Sequence, residues 1–140
     1  MYYLRTEANF DAAHFLKDYD GKCANIHGHR WRVVAEVAGE ELVKEGSSRG
    51  MVIEFSELKT ELRAICDSLD HALIYESNSL KDKTIEALRE EGFELRELPC
   101  RPTAENLAKY FFDKIREKVY DIHRIEVYES PNDCAVYEKP

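Results

Sequence analysis

Leu4, Thr6, Ala8, Phe10, Ala12 and His14 share one parity, and the residues between them are mostly polar at the start. A period of two puts such a set on one face, so a strand is expected from about Tyr2 to Ala12, with His14 emerging at its end. Trp31, Val33, Ala35 and Val37 alternate with Arg32 and Glu36. This predicts a second strand over about 29–38, antiparallel to the first, with Gly39 to Gly50 as a turn-rich connection. Further on, the apolar spacing changes to three and four. Leu58, Leu62, Ile65, Cys66 and Leu69 behind Ser56 predict a helix over about 57–68, with Ser56 as its N-cap. Leu107, Tyr110, Phe111, Ile115 and Val119 form the stripe of a second helix after Pro102 and Thr103, with Lys114, Arg116 and Lys118 toward its C-terminal end.

Between the helices, Asp82 to Leu98 is rich in glutamate and reads as a solvated insertion: a short helix, a turn at Gly92 and a short strand. Ile125 and Val127 mark another strand, Ser130 to Asp133 a turn, and Ala135 to Tyr137 a last strand. Hairpin strands with grouped helices fit an α+β class, a single domain over residues 1–140 with helices on one face of the sheet. The open edges of such a sheet need covering, commonly by neighbouring subunits.

Composition narrows the function. With 140 residues, 44% of them hydrophobic, the chain can bury one core. A net charge of −8 speaks against binding nucleic acid or anionic lipid by bulk attraction. The acid excess lies in residues 51–100, which hold 12 acidic and 6 basic side chains, whereas residues 1–50 hold 8 and 7. No run approaches the roughly 20 apolar residues of a membrane span, and Met1 leads straight into alternation, so a soluble cytoplasmic protein is expected. Cys23, Cys66, Cys100 and Cys134 show no paired spacing, which predicts thiols rather than a disulfide framework.

The densest chemistry is Cys23-Ala24-Asn25-Ile26-His27-Gly28-His29. Histidines two apart at the start of a strand project to one side, and Gly28 between them is expected to leave room for an ion. His14, at the adjoining end of the other strand, offers a third nitrogen, and three histidines are the usual protein set for zinc with one open position. The plain alternative is local hydrogen bonding in a turn. A second alternative is a closed structural site with Cys23 as fourth ligand.

Asp70-His71 closes the first helix, where an acid can orient an imidazole that activates a thiol, or where a histidine simply favours the helix dipole. Glu129 shares the parity of Ile125 and Val127, so it needs a partner: an amidine-like ligand edge, an arginine or a backbone amide. Glu105 follows Thr103 in a first helical turn, where acids are favoured in any case.

Phe10-Asp11-Ala12-Ala13-His14, Cys23-x3-His27-Gly28-His29, Leu69-Asp70-His71, Pro102-Thr103-Ala104-Glu105-Asn106 and Glu129, in this order, resemble the 6-pyruvoyl-tetrahydropterin synthase and 6-carboxy-tetrahydropterin synthase family over nearly the whole chain. The resemblance implies the tunnelling fold: a four-stranded antiparallel sheet with two helices, joined into barrels in a homohexamer made of two trimers. It implies zinc on His14, His27 and His29, a catalytic base at Cys23 assisted by Asp70 and His71, and a pterin anchor at Glu129. Glu105 and Thr103 match the pterin-pocket segment.

Three residues between the cysteine and His-Gly-His, as here, mark the carboxy branch of queuosine synthesis; the pyruvoyl branch usually has five. The resemblance thus implies conversion of 7,8-dihydroneopterin triphosphate to 6-carboxytetrahydropterin, acetaldehyde and triphosphate. A pyruvoyl synthase, and a structural zinc module acting as an interaction protein, are the alternatives. The chain departs from the family in two places: Glu54 stands where Met-Val-x-Asp-Phe has aspartate, and the 79–98 stretch is long.

Overall fold

The computed structural model describes residues 1–140. In chain order it contains β1 (Tyr2–His14), β2 (His27–Gly39), α1 (Phe55–Leu69), β3 (Ala72–Glu76), α2 (Asp82–Glu90), β4 (Leu95–Leu98), α3 (Ala104–Arg116), β5 (Ile122–Tyr128) and β6 (Cys134–Glu138). The six strands form one sheet in the order β4-β3-β1-β2-β5-β6.

Four of the strands expected from sequence are the antiparallel block β1-β2-β5-β6, and the short helix and short strand expected within Asp82 to Leu98 are α2 and β4. The sheet is nevertheless six-stranded and mixed rather than four-stranded and antiparallel, because β3 and β4 add to β1 in parallel. Strand β3 escaped the pattern analysis because Ala72-Leu73-Ile74-Tyr75 is a continuous apolar run, the signature of a strand covered on both faces.

Helices α1 and α3 pack on one face of the sheet. Leu58, Leu62, Cys66 and Leu69 of α1 and Leu107, Ala108, Phe111, Phe112 and Ile115 of α3 meet Phe10, Trp31, Val33, Ala35, Val37, Ile125 and Val127 in one core. Each large side chain so buried contributes about 1.5–3 kcal/mol. Tyr110 is only half-buried, and Val119, though buried, lies beyond the end of α3.

The other sheet face is charged. It carries Arg5, Arg30, Arg32 and Arg124 opposite Glu7, Asp11, Glu36 and Glu126, with Arg32 on Glu7 at 3.0 Å and Arg124 on Glu126 at 2.8 Å. All four cysteines are free. No helix is long and apolar enough to cross a membrane.

Two local expectations change. The 79–98 stretch is not merely solvated: Ile85 and Leu88 of α2, with Leu73 and Leu80, pack on a second small core of Phe15, Tyr75 and Leu95. Ser56 is not the cap of α1. The helix begins at Phe55 behind Glu54, which caps nothing with its side chain. Its carboxylate instead accepts from the Ser48 hydroxyl at 3.1 Å and the Ser56 hydroxyl at 3.4 Å. One methylene longer than aspartate, Glu54 turns away from the helix amides that a cap would satisfy.

Candidate active site

The antiparallel register of β1 and β2 pairs His14 with His27 and Ala12 with His29. Directly paired residues point to the same face of a ladder, so the three imidazoles converge on the helix-covered face. Ring centroids lie 4.5 Å apart for His14 and His27, 5.1 Å for His14 and His29, and 4.9 Å for His27 and His29. Trp31, fully buried, stands edge-on to His14 at 4.9 Å and to His29 at 5.1 Å, and its Nε1–H donates to the Ala12 carbonyl at 3.2 Å. Gly28 does not make room for an ion. It has the opposite parity, and a Cβ there would meet the Ala12 carbonyl oxygen at 3.7 Å on the outer face.

Two carbonyls set the tautomers. His14 Nδ1 is 2.7 Å from the Pro102 oxygen and His27 Nδ1 is 2.7 Å from the Asn25 oxygen, so each Nδ1–H donates and each Nε2 keeps its lone pair. Those two Nε2 atoms face each other at 3.0 Å. The third ring leaves His29 Nε2 buried with no partner.

Burial pushes His14 down to about 4 against the upward pull of the Pro102 carbonyl, with His27 and His29 adding smaller downward pushes. Burial also lowers His29, opposed by the Glu129 carboxylate. Neutral rings with opposed lone pairs and an orphaned nitrogen are what a divalent cation relieves, and two imidazoles on one tetrahedral zinc stand about 3.3 Å apart. The residues therefore fit zinc.

Cys23 lies in a short 3-10 turn, Lys22–Ala24, and is exposed. The loop is closed by the Leu16 N–H on the Cys23 carbonyl at 2.9 Å and by the Asn25 N–H on the Lys22 carbonyl at 3.0 Å. The same turn thus positions both the thiol and the carbonyl that holds His27. The histidine donor atoms that lie within 4.8 Å of one another are those of His14, His27 and His29, and the Cys23 thiol is not among them.

Asp70 is the C-cap residue of α1, and His71 follows with a left-handed φ of 54°. That conformation costs a non-glycine residue about 1 kcal/mol, and backbone contacts to β1 hold it. The His71 N–H donates to the Asp11 carbonyl at 2.6 Å, and the Asp11 N–H donates to Asp70 Oδ1 at 2.8 Å. The ring engages no helix carbonyl: His71 Nδ1 sits 2.8 Å from Asp70 Oδ2. This bond raises the His71 pKa, while the Asp11 N–H and then His71 lower that of Asp70. A cavity of about 670 Å³ runs from His29 to His71, walled by Ile26, Leu73, Leu88 and Phe93.

Glu129 follows the end of β5 and is half-buried, its N–H on the Asp133 carbonyl at 3.2 Å. Among the hydrogen bonds and ion pairs of the chain, none reaches its carboxylate, so the arginine and amide alternatives are not realised. It shares a cavity of about 520 Å³ with His29, Arg30, Arg32 and Tyr128. Thr103 is the N-cap of α3, its hydroxyl accepting from the Asn106 N–H at 3.2 Å, and Glu105 is exposed in the first turn. The residue of this segment that reaches the histidines is Pro102, through its carbonyl.

Three participants had no role in the sequence analysis: the carbonyls of Asn25 and Pro102, which carry no sequence signal, and Asp11, visible only as part of a motif.

The family model described as 6-pyruvoyl tetrahydropterin synthase matches residues 3–140. The chain is 34% identical to a 6-carboxy-5,6,7,8-tetrahydropterin synthase of Haemophilus influenzae, covering 99% of this chain and 100% of that one. It is 33% identical to the synthase of the same name from a Synechocystis species, over 100% and 95% of the two chains. Among solved structures, an uncharacterized protein of Wolinella succinogenes superimposes with a TM-score of 0.82 at 18% identity over 99% of this chain and 98% of the other. A 6-pyruvoyl tetrahydropterin synthase of Caenorhabditis elegans does so with 0.70 at 24%, over 99% and 96%. These likenesses in structure bear out the tunnelling-type α+β fold, and the full-length sequence matches go further: the chain belongs to the 6-pyruvoyl tetrahydropterin synthase family.

Proposed function

We propose that this protein is a zinc-dependent 6-carboxy-5,6,7,8-tetrahydropterin synthase. It takes 7,8-dihydroneopterin triphosphate and water to 6-carboxytetrahydropterin, acetaldehyde and triphosphate in the cytoplasm, as a step of queuosine synthesis. The observation that carries the reading is the pair of opposed Nε2 atoms of His14 and His27, 3.0 Å apart, with both Nδ1 atoms held by carbonyls beside the partnerless His29 nitrogen. The three-residue spacing from Cys23 to His27-Gly28-His29 and the names of the 33–34% identical relatives support the carboxy product over the pyruvoyl one.

His14, His27 and His29 would hold the zinc, which when bound supplies Lewis-acid polarisation of the substrate side-chain oxygens. Glu129 offers a carboxylate without a protein partner to the aminopyrimidine edge of the pterin, where two parallel hydrogen bonds fix its orientation. Cys23, exposed on its turn, takes a proton from the substrate side chain as thiolate and gives one back as thiol. His71, which lines the cavity, carries that proton, and Asp70 on Nδ1 fixes the tautomer so that Nε2 is left to exchange it. Positioning of this kind can supply several powers of ten in rate.

Thr103 and Glu105 belong to the pocket by family resemblance. In this chain the Thr103 hydroxyl is engaged as a helix cap, so its contribution runs through the placing of Pro102. The charged open sheet face, the unpaired edges of β4 and β6, and the exposed Tyr2, Tyr3, Met51 and Phe55 are consistent with assembly into a homohexamer. The net charge of −8 speaks against nucleic acid as a partner.

The test is the product mass from dihydroneopterin triphosphate with purified, zinc-loaded protein, run beside Cys23→Ala. The carboxy product from the parent, and full zinc without turnover in the variant, are expected. A pyruvoyl product would overturn the branch, and zinc lost with the thiol would make Cys23 a ligand and overturn the mechanism.

A further inference from the structure

Asp11 is engaged from three sides. Its N–H holds the Asp70 carboxylate at 2.8 Å and its carbonyl holds the His71 N–H at 2.6 Å, so the backbone of this one residue clamps the acid and the imidazole together. Its half-exposed carboxylate accepts from Arg30 Nη1 at 3.0 and 3.2 Å, Arg30 being the residue opposite it in the β1–β2 ladder. A carboxylate oxygen of Asp11, one of Asp70 and a ring nitrogen of His71 lie within 4.8 Å of one another.

Backbone clamping explains why the main chain passes here, but not why the side chain is an acid. Two carboxylates this close repel unless cations stand between them. The four side chains Arg30, Asp11, Asp70 and His71 balance in charge when His71 holds a proton, and leave one negative charge when it does not. A lone Nδ1 bond to Asp70 would also let an exposed ring swing about that bond, and a second acid at its edge opposes the swing.

We propose that Asp11 is a positioning residue for the Asp70–His71 pair, its carboxylate held by Arg30 so that two acids, not one, face the imidazole that carries the proton. This rests on the reading of His71 as proton carrier. The charged groups facing His71 are Asp70 at the end of α1, Asp11 on β1 and Arg30 on β2. Glu94, before β4, lines the same cavity but is paired with Arg96 at 2.9 Å.

The experiment uses the zinc-loaded enzyme with dihydroneopterin triphosphate and the variants Asp11→Asn, Asp11→Glu, Arg30→Gln and His71→Asn. Asp11→Asn is expected to keep zinc, to lower kcat about three- to tenfold with KM changed less than about twofold, and to move the His71 limb of the kcat–pH profile down by about half a unit. Asp11→Glu should restore most of kcat. Arg30→Gln should move the same limb upward, because it unmasks the acid. Proton NMR of the His71 ring, assigned by its loss in His71→Asn, reads both shifts without turnover.

A purely structural role for Asp11 would shift both variants alike or neither, and either result overturns the proposal. Loss of about a hundredfold in kcat in His71→Asn with a normal Asp11→Asn overturns this inference alone. An unchanged kcat in His71→Asn overturns the reading of His71 and this inference with it.

Discussion

Replacing Glu129 by glutamine tests what its carboxylate is for. The side chain is half-buried, yet no protein group donates to it, so folding should scarcely register the change: about 0.5 kcal/mol or less, under about 2 °C in Tm. Binding should register it strongly. Against an amidine-like edge the amide keeps one acceptor and turns a donor toward the other donor. At least one charge-assisted hydrogen bond is lost, about 1.5–3 kcal/mol, which weakens the pterin Kd about 10- to 150-fold. Zinc should stay, because Glu129 influences His29 only as a nearby charge that raises its pKa. Fluorescence titration with biopterin, thermal unfolding and zinc content measured on the same preparation settle the matter. A Tm lowered by about 4 °C or more with unchanged pterin affinity would mean that the fold, not the ligand, uses this acid.

Other outcomes follow from the same geometry. His14→Ala leaves the Pro102 carbonyl unpaired in a buried place and should cost the metal-free protein about 2–3 kcal/mol, while His27→Ala, half-buried, should cost about 1 kcal/mol; both lose zinc, and equal losses in urea unfolding would refute the difference in burial. Trp31 is the only tryptophan and lies about 5 Å from two of the rings, at 4.9 and 5.1 Å, so cobalt(II) added to metal-free protein should quench its fluorescence with one equivalent. Glu54→Asp should install the cap that α1 lacks and raise stability by about 0.5–1 kcal/mol in denaturant unfolding; no gain would mean that Ser48 and Ser56 hold the shorter acid as well. For Glu126, burial pushes the pKa up, but the Tyr128 hydroxyl, Arg124 and Arg5 together outweigh it and the net shift is downward. Its stabilisation is therefore full above its ordinary value of 4.5 and is lost as pH falls through the lowered one, so Glu126→Gln should flatten the acid limb of the stability profile.

The antiparallel block and the two packed helices were legible in the sequence because each has one buried face and hence one period. Strand β3 has two covered faces and no period, so it was invisible, and with it went the reason Asp70 and His71 sit beside β1. The metal set was legible because three histidines at strand ends need only a register to meet. The carbonyls of Asn25 and Pro102 were not, since every residue has a carbonyl and only tertiary structure says where it points. Gly28 was misread for a related reason: the parity argument that aligns His27 with His29 sends residue 28 to the opposite face.

The last four residues of β1 serve both groups of functional side chains, with Asp11 and Ala13 on the outer face and Ala12 and His14 on the inner one. A single inserted or deleted residue in this stretch would exchange the faces and disable the metal set and the proton carrier at one stroke. The loop from Lys17 to Gly21 has no such alternation to keep, although the Leu16–Cys23 and Ala24–Gly21 backbone bonds and Arg101 Nη2 on the Lys17 carbonyl at 2.8 Å hold its ends. A change of length is accordingly borne far better in the connection between β1 and β2, where the two branches of the family differ between the cysteine and His-Gly-His, than within β1 itself.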